Sequence, residues 1–174
     1  SLYNLKYTTN LDIIKYGLSG QASKSVLNSR LLVSLGIRFD GNNYNNKMSN
    51  LLNQFSPRFS LSYALTDKTS LNAAIGRYFQ QPAYTTLGFR DNSGNLMNKY
   101  SSEFIGVTQY SLGAEHRFSD KILLSGEGFY KDYFQYPIDL ITGSSLANQG
   151  ADYSSIAGAA PVTFSGKGRA TGIE

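Results

Sequence analysis

The sequence has 174 residues, a length that suits one domain, and its 41% apolar content argues against intrinsic disorder. Charged residues make up 16%, and the net charge of +4 comes from Lys and Arg residues that never stand next to one another, so no nucleic-acid partner is expected. The absence of cysteine excludes disulfides and Cys-ligated metals. No stretch of roughly 20 mainly apolar residues predicts a transmembrane helix.

Apolar and polar residues alternate in six segments, which is the pattern of strands with one apolar face. In chain order these are residues 12–24, 30–40, 54–66, 69–81, 106–118 and 121–134. The second is the clearest, because every odd position from Leu31 to Phe39 is apolar. Each segment has 11 to 14 residues. That length exceeds the five or six residues usual in globular proteins and reaches the roughly 9 to 11 that cross a bilayer.

The links between these segments alternate in length along the chain. Residues 25–29, 66–68 and 119–121 form short links, whereas residues 41–53, 82–105 and 135–166 form long ones. An antiparallel meander with this alternation has all its short turns at one end and all its long loops at the other. That asymmetry is typical of outer-membrane barrels.

Aromatic residues on the apolar face lie mainly toward the long-loop ends, as expected for an interfacial girdle. They are Phe39, Phe55, Phe59, Phe79, Tyr110, Tyr130 and Phe134, while Tyr63 and Phe118 lie at the short-turn ends. Arg77 and Asp132 fall on the same face. By length along their strands, both are expected near the upper interface, where a charge costs only about 0 to 1 kcal/mol.

Four stretches resemble the barrel of TonB-dependent outer-membrane receptors, in particular those of Bacteroidetes-type bacteria. They are FSPRFSLSYALTDK at 55–68, GRYFQQP at 76–82, GEGFYKDY at 126–133 and GKGRATGIE at 166–174. The resemblance runs from about residue 11 to the end. It implies an all-β antiparallel transmembrane β-barrel segment, with about six full strands plus partial ends, from a 22-stranded barrel that encloses a plug. No part of this sequence resembles the plug, so the chain is expected to be a piece of the barrel.

The resemblance also implies function and partners. The expected function is nutrient import across the bacterial outer membrane, with no enzymatic activity and no cofactor. The expected partners are outer-membrane lipid, the remainder of the barrel and its plug, TonB through the plug, and a surface lipoprotein. Iron chelates, haem, vitamins, oligosaccharides and peptides all stay open as cargo.

Three alternatives remain at this point. Residues 2–9 and 167–174 could add two strands and complete a small eight-stranded barrel, although the chain ends Thr-Gly-Ile-Glu rather than in the aromatic residue common in such barrels. The chain could also belong to an outer-membrane scaffold that transports nothing. A soluble glycan-binding β-sandwich would instead bury the apolar face between two sheets.

Candidate site residues fall into two sets. Seven charged residues in the polar phase are expected to face the lumen or the plug: Lys15, Arg38, Arg58, Glu115, Arg117, Glu127 and Lys131. They could steer an anionic or zwitterionic solute, but contact with the plug is favoured. Five residues in long loops could contact a ligand by stacking and hydrogen bonding: Tyr84, Phe89, Arg90, Tyr100 and Tyr153.

Other motifs favour structural roles. His116, the single histidine, lies in the apolar phase, which argues against a catalytic triad. Glu115 and Glu127 are expected to form a charge network with Arg117 and Lys131. Residues 40–46 lack the spacing of a calcium loop and predict a solvated Asn-rich loop. Residues 166–172 predict a loop entering a strand, and residues 91–94 predict a tight turn.

Overall fold

The computed structural model describes residues 8–148 and 158–174. Within these ranges the chain is all-β and forms one antiparallel sheet whose seven strands follow sequence order, which confirms the predicted fold class. The strands are β1 (Lys15–Val26), β2 (Leu31–Asn42), β3 (Ser56–Thr66), β4 (Thr69–Gln80), β5 (Ile105–Ser119), β6 (Ile122–Asp139) and β7 (Val162–Ile173). The helical elements are α1 (Asn46–Ser49), a 3₁₀ helix (Leu51–Gln54) and α2 (Tyr84–Leu87). No helix in this part of the chain is long and apolar enough to cross a membrane.

The last two strands extend beyond the predicted elements. β6 continues five residues past 134, because a bulge between Tyr133 and Tyr136 absorbs Gln135, whose φ is +55°. β7 begins at Val162, so the loop predicted at 166–172 is wrong and these residues are strand. β7 lacks apolar alternation because its glycines lie beside large side chains of β6. A Cβ on Gly172, for example, would lie 2.5 Å from the ring of Phe129.

The sheet has one apolar and one polar face. A row of direct cross-strand neighbours runs from Leu35 through Phe59, Ile75 and Tyr110 to Tyr130. These side chains are 36% to 59% exposed, and we call their side of the sheet the apolar face. The described residues contain no second sheet to cover it, which is the opposite of a β-sandwich. The opposite side, which carries Arg38 and Arg58, is the polar face.

The outer edges of the sheet are β1 and β7. In the described ranges these two strands do not pair with each other, so the sheet does not close on itself there. The eight-stranded barrel considered above needs a further strand at residues 2–9, of which residues 2–7 lie outside the described ranges.

Two of the short turns share one chemistry. Thr66-Asp-Lys and Ser119-Asp-Lys each place a hydroxyl oxygen where it accepts a hydrogen bond from the backbone N–H two residues later, on Lys68 at 3.2 Å and on Lys121 at 3.3 Å. Both turns are preceded by a register shift that leaves one residue, Leu65 or Phe118, bulged.

A small core lies in the long loops. Tyr44, Met48, Leu87 and Phe104 are buried together, and the Tyr44 hydroxyl donates to the Leu87 carbonyl at 2.6 Å. The prediction of a solvated Asn-rich loop at 40–46 is therefore wrong. The Asn side chains satisfy backbone groups instead: the Asn45 oxygen caps α1 by accepting from the N–H of Met48 at 2.8 Å.

Asn98 ties the loop after β4 to the start of β7. Its side-chain amide donates to the carbonyls of Thr86 at 2.8 Å and Ala160 at 2.9 Å, while its oxygen accepts from the N–H of Val162 at 2.9 Å. The side chain is only 1% exposed. The long loops are thus joined into one structure at their end of the sheet.

Candidate functional site

A cavity of about 810 Å³ lies against the polar face at the long-loop end of the sheet. It is built from the first four strands and the loop after β4. Its charged lining residues are Lys15, Arg38, Asp40 and Arg58, and its aromatic lining residues are Tyr16, Tyr78, Phe79, Tyr84 and Phe104. The structure therefore brings together three of the predicted lumen residues and one predicted loop residue.

Arg38 is neutralised within the cavity wall. Its Nε donates to Oδ2 of Asp40 at 2.7 Å and its Nη2 donates to Oδ1 at 2.8 Å. The two residues are two apart on β2, so their side chains project from the same face. Because both carboxylate oxygens are engaged, this bidentate pair leaves little net charge for a solute to recognise.

Arg58 has an aromatic partner and no carboxylate partner within the described ranges. Its guanidinium carbon lies 4.5 Å from the centroid of the Tyr78 ring, a cation–π geometry. Tyr78 reaches this position by folding back over Gly76, where an added Cβ would lie 2.8 Å from the Tyr78 hydroxyl. Gly76 is also the direct cross-strand neighbour of Arg58. One glycine thus makes room for the pair.

Lys15 forms the second cation and ring contact. Its Nζ lies 5.1 Å from the centroid of the Tyr84 ring. The Lys15 ammonium, assisted by the Gln81 side chain, lowers the pKa of the Tyr84 phenol from its ordinary value. Gln81 is itself held by Asn42, whose amide donates to the Gln81 side-chain oxygen at 3.1 Å. No carboxylate within 4 Å neutralises Lys15 in the described part of the chain.

The remaining four predicted lumen residues lie outside this cavity. Glu115, Arg117, Glu127 and Lys131 share its face by register but belong to β5 and β6. Among the described residues they form no ion pair with one another, so the predicted charge network is not seen. Lys131 instead places its Nζ 4.6 Å from the centroid of the Phe129 ring.

Most predicted loop contacts are placed elsewhere. Arg90 holds the tip of its loop together, with Nη1 donating to the Gly94 carbonyl at 2.6 Å and Nε donating to Thr9 Oγ1 at 3.2 Å. The Phe89 backbone carbonyl accepts from Met97 in the same loop. Tyr100 is 84% exposed and stands apart from the cavity. Tyr153 lies outside the described residues.

The turn predicted at 91–94 is confirmed. The Asp91 carboxylate accepts from the backbone N–H groups of Ser93 at 2.9 Å and Asn95 at 2.8 Å, and Gly94 adopts φ +83°. Hydrogen bonding by Asn95 holds the pKa of Asp91 below its ordinary value. This acid is committed to the turn.

The surroundings of His116 are those of a side chain at the apolar face of the sheet. His116 lies on the apolar face, where its Nδ1 is 2.9 Å from the Thr69 hydroxyl and its ring packs edge-on against Phe118. Across the described residues, no three His, Asp or Glu side chains are grouped closely enough to hold a metal ion.

Sequence reasoning missed Tyr78, Asp40, Gln80 and Gln81 as lining residues. Tyr78 and Gln80 share the polar phase of β4 and could have been found by that signal. Asp40 lies in the polar phase of the predicted strand at 30–40, two residues after Arg38, so the same signal places it on this face. Gln81 lies at the end of its segment, and nothing in the sequence indicates its bond to Asn42.

A family model described as "TonB dependent receptor-like, beta-barrel" matches residues 1–174 of the chain. No curated protein matches the chain.

Proposed function

The chain belongs to the TonB-dependent receptor β-barrel family, and from that membership we propose that it forms part of the wall of an active importer that brings a nutrient across the bacterial outer membrane. Proteins of this family are outer-membrane receptors that work with a plug and with TonB. In this proposal the apolar face lies against lipid and the polar face lines the lumen. We also propose that the protein comes from a Bacteroidetes-type bacterium, as the resemblance of its sequence suggests.

The observation that carries the proposal is the pair of cations in the cavity. Lys15 and Arg58 face the space enclosed by the polar face and the loops, and each lies against an aromatic ring. A carboxylate or phosphate entering the cavity would find two cations that are held in place and not neutralised by an acid of the described chain. In this proposal the anionic partner of Lys15 and Arg58 is supplied either by the plug or by the cargo.

The residues divide by role in this account. Lys15 and Arg58 meet the plug or the cargo beneath the loops, Arg38 faces the same lumen with its charge paired to Asp40, and Tyr84 contributes a ring at the entrance. Glu115, Arg117 and Glu127 face the lumen nearer the short turns and Lys131 faces it at the level of Arg58, and all four contact the plug. TonB acts on the plug, and a surface lipoprotein covers the loops from outside.

The test is nutrient uptake by cells that produce the full-length protein. Strains that lack the protein, and strains that lack TonB, are compared with wild type on single sources of iron chelate, haem, vitamin, oligosaccharide or peptide. We expect at least one nutrient whose uptake falls in both strains. Unchanged uptake of every nutrient in the strain lacking the protein would favour the non-transporting scaffold.

Variants then link uptake to the cavity. The double variant Lys15→Gln/Arg58→Gln is expected to reduce uptake of that nutrient at equal surface abundance. The matched control, Lys68→Gln/Lys121→Gln, removes the same charge from the short turns and should transport normally. Equal uptake by both double variants would exclude a role for the two cations.

A further inference from the structure

Three charged residues stand at one level of the apolar face, toward its long-loop end. Register places Arg77 of β4 beside Thr108 of β5, Thr108 beside Asp132 of β6, and Asp132 beside Arg169 of β7. Strands are about 4.8 Å apart, so the two arginines lie at the ends of a row about 14 Å wide. We call these four residues the outer polar row.

The height of the outer polar row matches a membrane interface. Arg77 lies eight residues along β4 from Thr69, which at about 3.3 Å per residue and a tilt near 40° is about 20 Å of a roughly 25 Å apolar band. Tyr110 and Tyr130 stand in the adjacent level, with ring centroids 6.1 Å apart. Tyrosines at this depth place their hydroxyls among headgroups.

Within the described residues, Arg77 has no acidic partner and Arg169 has only a weak one. Arg77 has no carboxylate within 4 Å among the described residues. Arg169 meets Asp132 at 3.7 Å, but the two side chains are 77% and 52% exposed, so the pair is weak. The row therefore carries one more positive than negative charge on a surface that faces lipid.

Arg77 is also held in position. Its guanidinium carbon lies 5.4 Å from the centroid of the Phe134 ring. Phe134 in turn packs edge-on against Phe79, at 5.7 Å between centroids, and covers Gly106. A positioned guanidinium presents paired donors that match the oxygens of a phosphate.

From this charge, height and geometry we propose that Arg77 and Arg169 bind the phosphate of an anionic lipid headgroup on the outer wall of the barrel. The inference rests on the membrane placement in the proposed function and adds a lipid site to it. The occupant is a membrane lipid rather than a free phosphate, because the apolar side chains below the row accommodate acyl chains.

Native mass spectrometry of the full-length protein in detergent tests the site, with phosphatidylglycerol and phosphatidylcholine as probes. Wild type is expected to bind phosphatidylglycerol more tightly. Arg77→Gln/Arg169→Gln should weaken that binding about five-fold per arginine and weaken phosphatidylcholine binding less, because the choline cation offsets the charge of that lipid's phosphate. Arg77→Lys/Arg169→Lys, which keeps the charge, should recover much of the affinity, and Asp132→Asn should increase it.

The matched control is Arg117→Gln/Lys131→Gln, which removes two charges from the polar face. Heat-dependent mobility on gels checks separately that each variant is a folded barrel, so a failure of membrane folding is distinguished from a failure of the lipid site. Equal binding of the two lipids by wild type would overturn the inference. Equal losses of phosphatidylglycerol binding in the outer variant and in the control variant would also overturn it. Displacement of the bound lipid by inorganic phosphate alone would show that the site binds free phosphate and would overturn it as well.

Discussion

The guanidinium of Arg58 lies 4.5 Å from the centroid of the Tyr78 ring, across the pair of strands β3 and β4. This contact holds a cation in the cavity wall without neutralising it. It is the relationship that lets the cavity present charge to a plug or a solute.

The contact between Arg58 and Tyr78 should appear as a coupling free energy. We expect Arg58→Gln and Tyr78→Leu to be coupled by about 0.5 to 1 kcal/mol, the range of an exposed cation–π pair. Urea unfolding in lipid vesicles measures the double-mutant cycle. Tyr78→Phe keeps the ring and should preserve the coupling, whereas strictly additive effects would show that the two groups do not interact.

The phenol of Tyr84 should titrate below its ordinary pKa, near 10, because the Lys15 ammonium and Gln81 favour its ionised form. Lys15→Gln removes the larger cause and should move the pKa upward. NMR of ¹³C-labelled tyrosine, assigned with Tyr84→Phe, measures the shift. In Lys68→Gln the pKa should stay where it is in wild type, and an unmoved value in Lys15→Gln would contradict the assigned contact. Because the folded-state pKa is lowered, ionisation of Tyr84 favours the folded loop as the pH rises through that pKa.

Gly106 should not tolerate a side chain. A Cβ there would lie 2.2 Å from the Phe134 ring, so Gly106→Ala must displace Phe134 from Phe79 and Arg77. We expect a loss of about 1 to 3 kcal/mol in the free energy of unfolding. Gly20→Ala is the matched control, because a Cβ at that strand position meets nothing within 4 Å. Similar stability of the two variants would contradict the packing described.

Asn98 should determine how firmly the long loops are joined. Asn98→Ala removes three hydrogen bonds and leaves the buried backbone N–H of Val162 unsatisfied, while the Thr86 carbonyl keeps its bond from the Phe89 N–H. The expected cost is about 1 to 3 kcal/mol for the unsatisfied group, expressed as local opening. Hydrogen exchange should accelerate in residues 83–104 and 158–163 but not in the central strands. Asn92→Ala, at the exposed loop tip, is expected to exchange like wild type.

The strands β1 to β6 could be predicted from sequence because apolar and polar residues alternate within each of them. From Leu31 to Phe39 every second residue is apolar, so the two faces of the strand can be assigned without knowing its neighbours. The pattern did not identify β7, because Gly166 and Gly172 are explained only by the side chains of Ile138 and Phe129 on β6 beside them. The strand at β7 is therefore explained by its pairing with β6 and not by its own residue pattern.

The candidate site was predictable in part for the same reason. Alternation assigned Lys15, Arg38 and Arg58 to one face, but it carries no information on height or pairing. Three-dimensional register was needed to show that Arg38 is neutralised by Asp40 while Arg58 faces Tyr78. The folded loop around Tyr44 and Met48 was missed because its Asn residues bond to backbone groups, and composition cannot distinguish such bonds from bonds to water.

The central claim is that the apolar face lies in lipid while the polar face lines an aqueous lumen. Its most direct test is spin-label accessibility along β4 of the full-length protein in vesicles, with labels on single cysteines introduced into this cysteine-free segment. Labels at single cysteines introduced at Leu71, Ala73 and Ile75 should be relaxed mainly by oxygen. Labels at Asn72 and Ala74 should be relaxed less by oxygen and more by a water-soluble nickel chelate. A period of two in this ratio is the predicted result, and uniform or reversed accessibility along the strand would contradict the account.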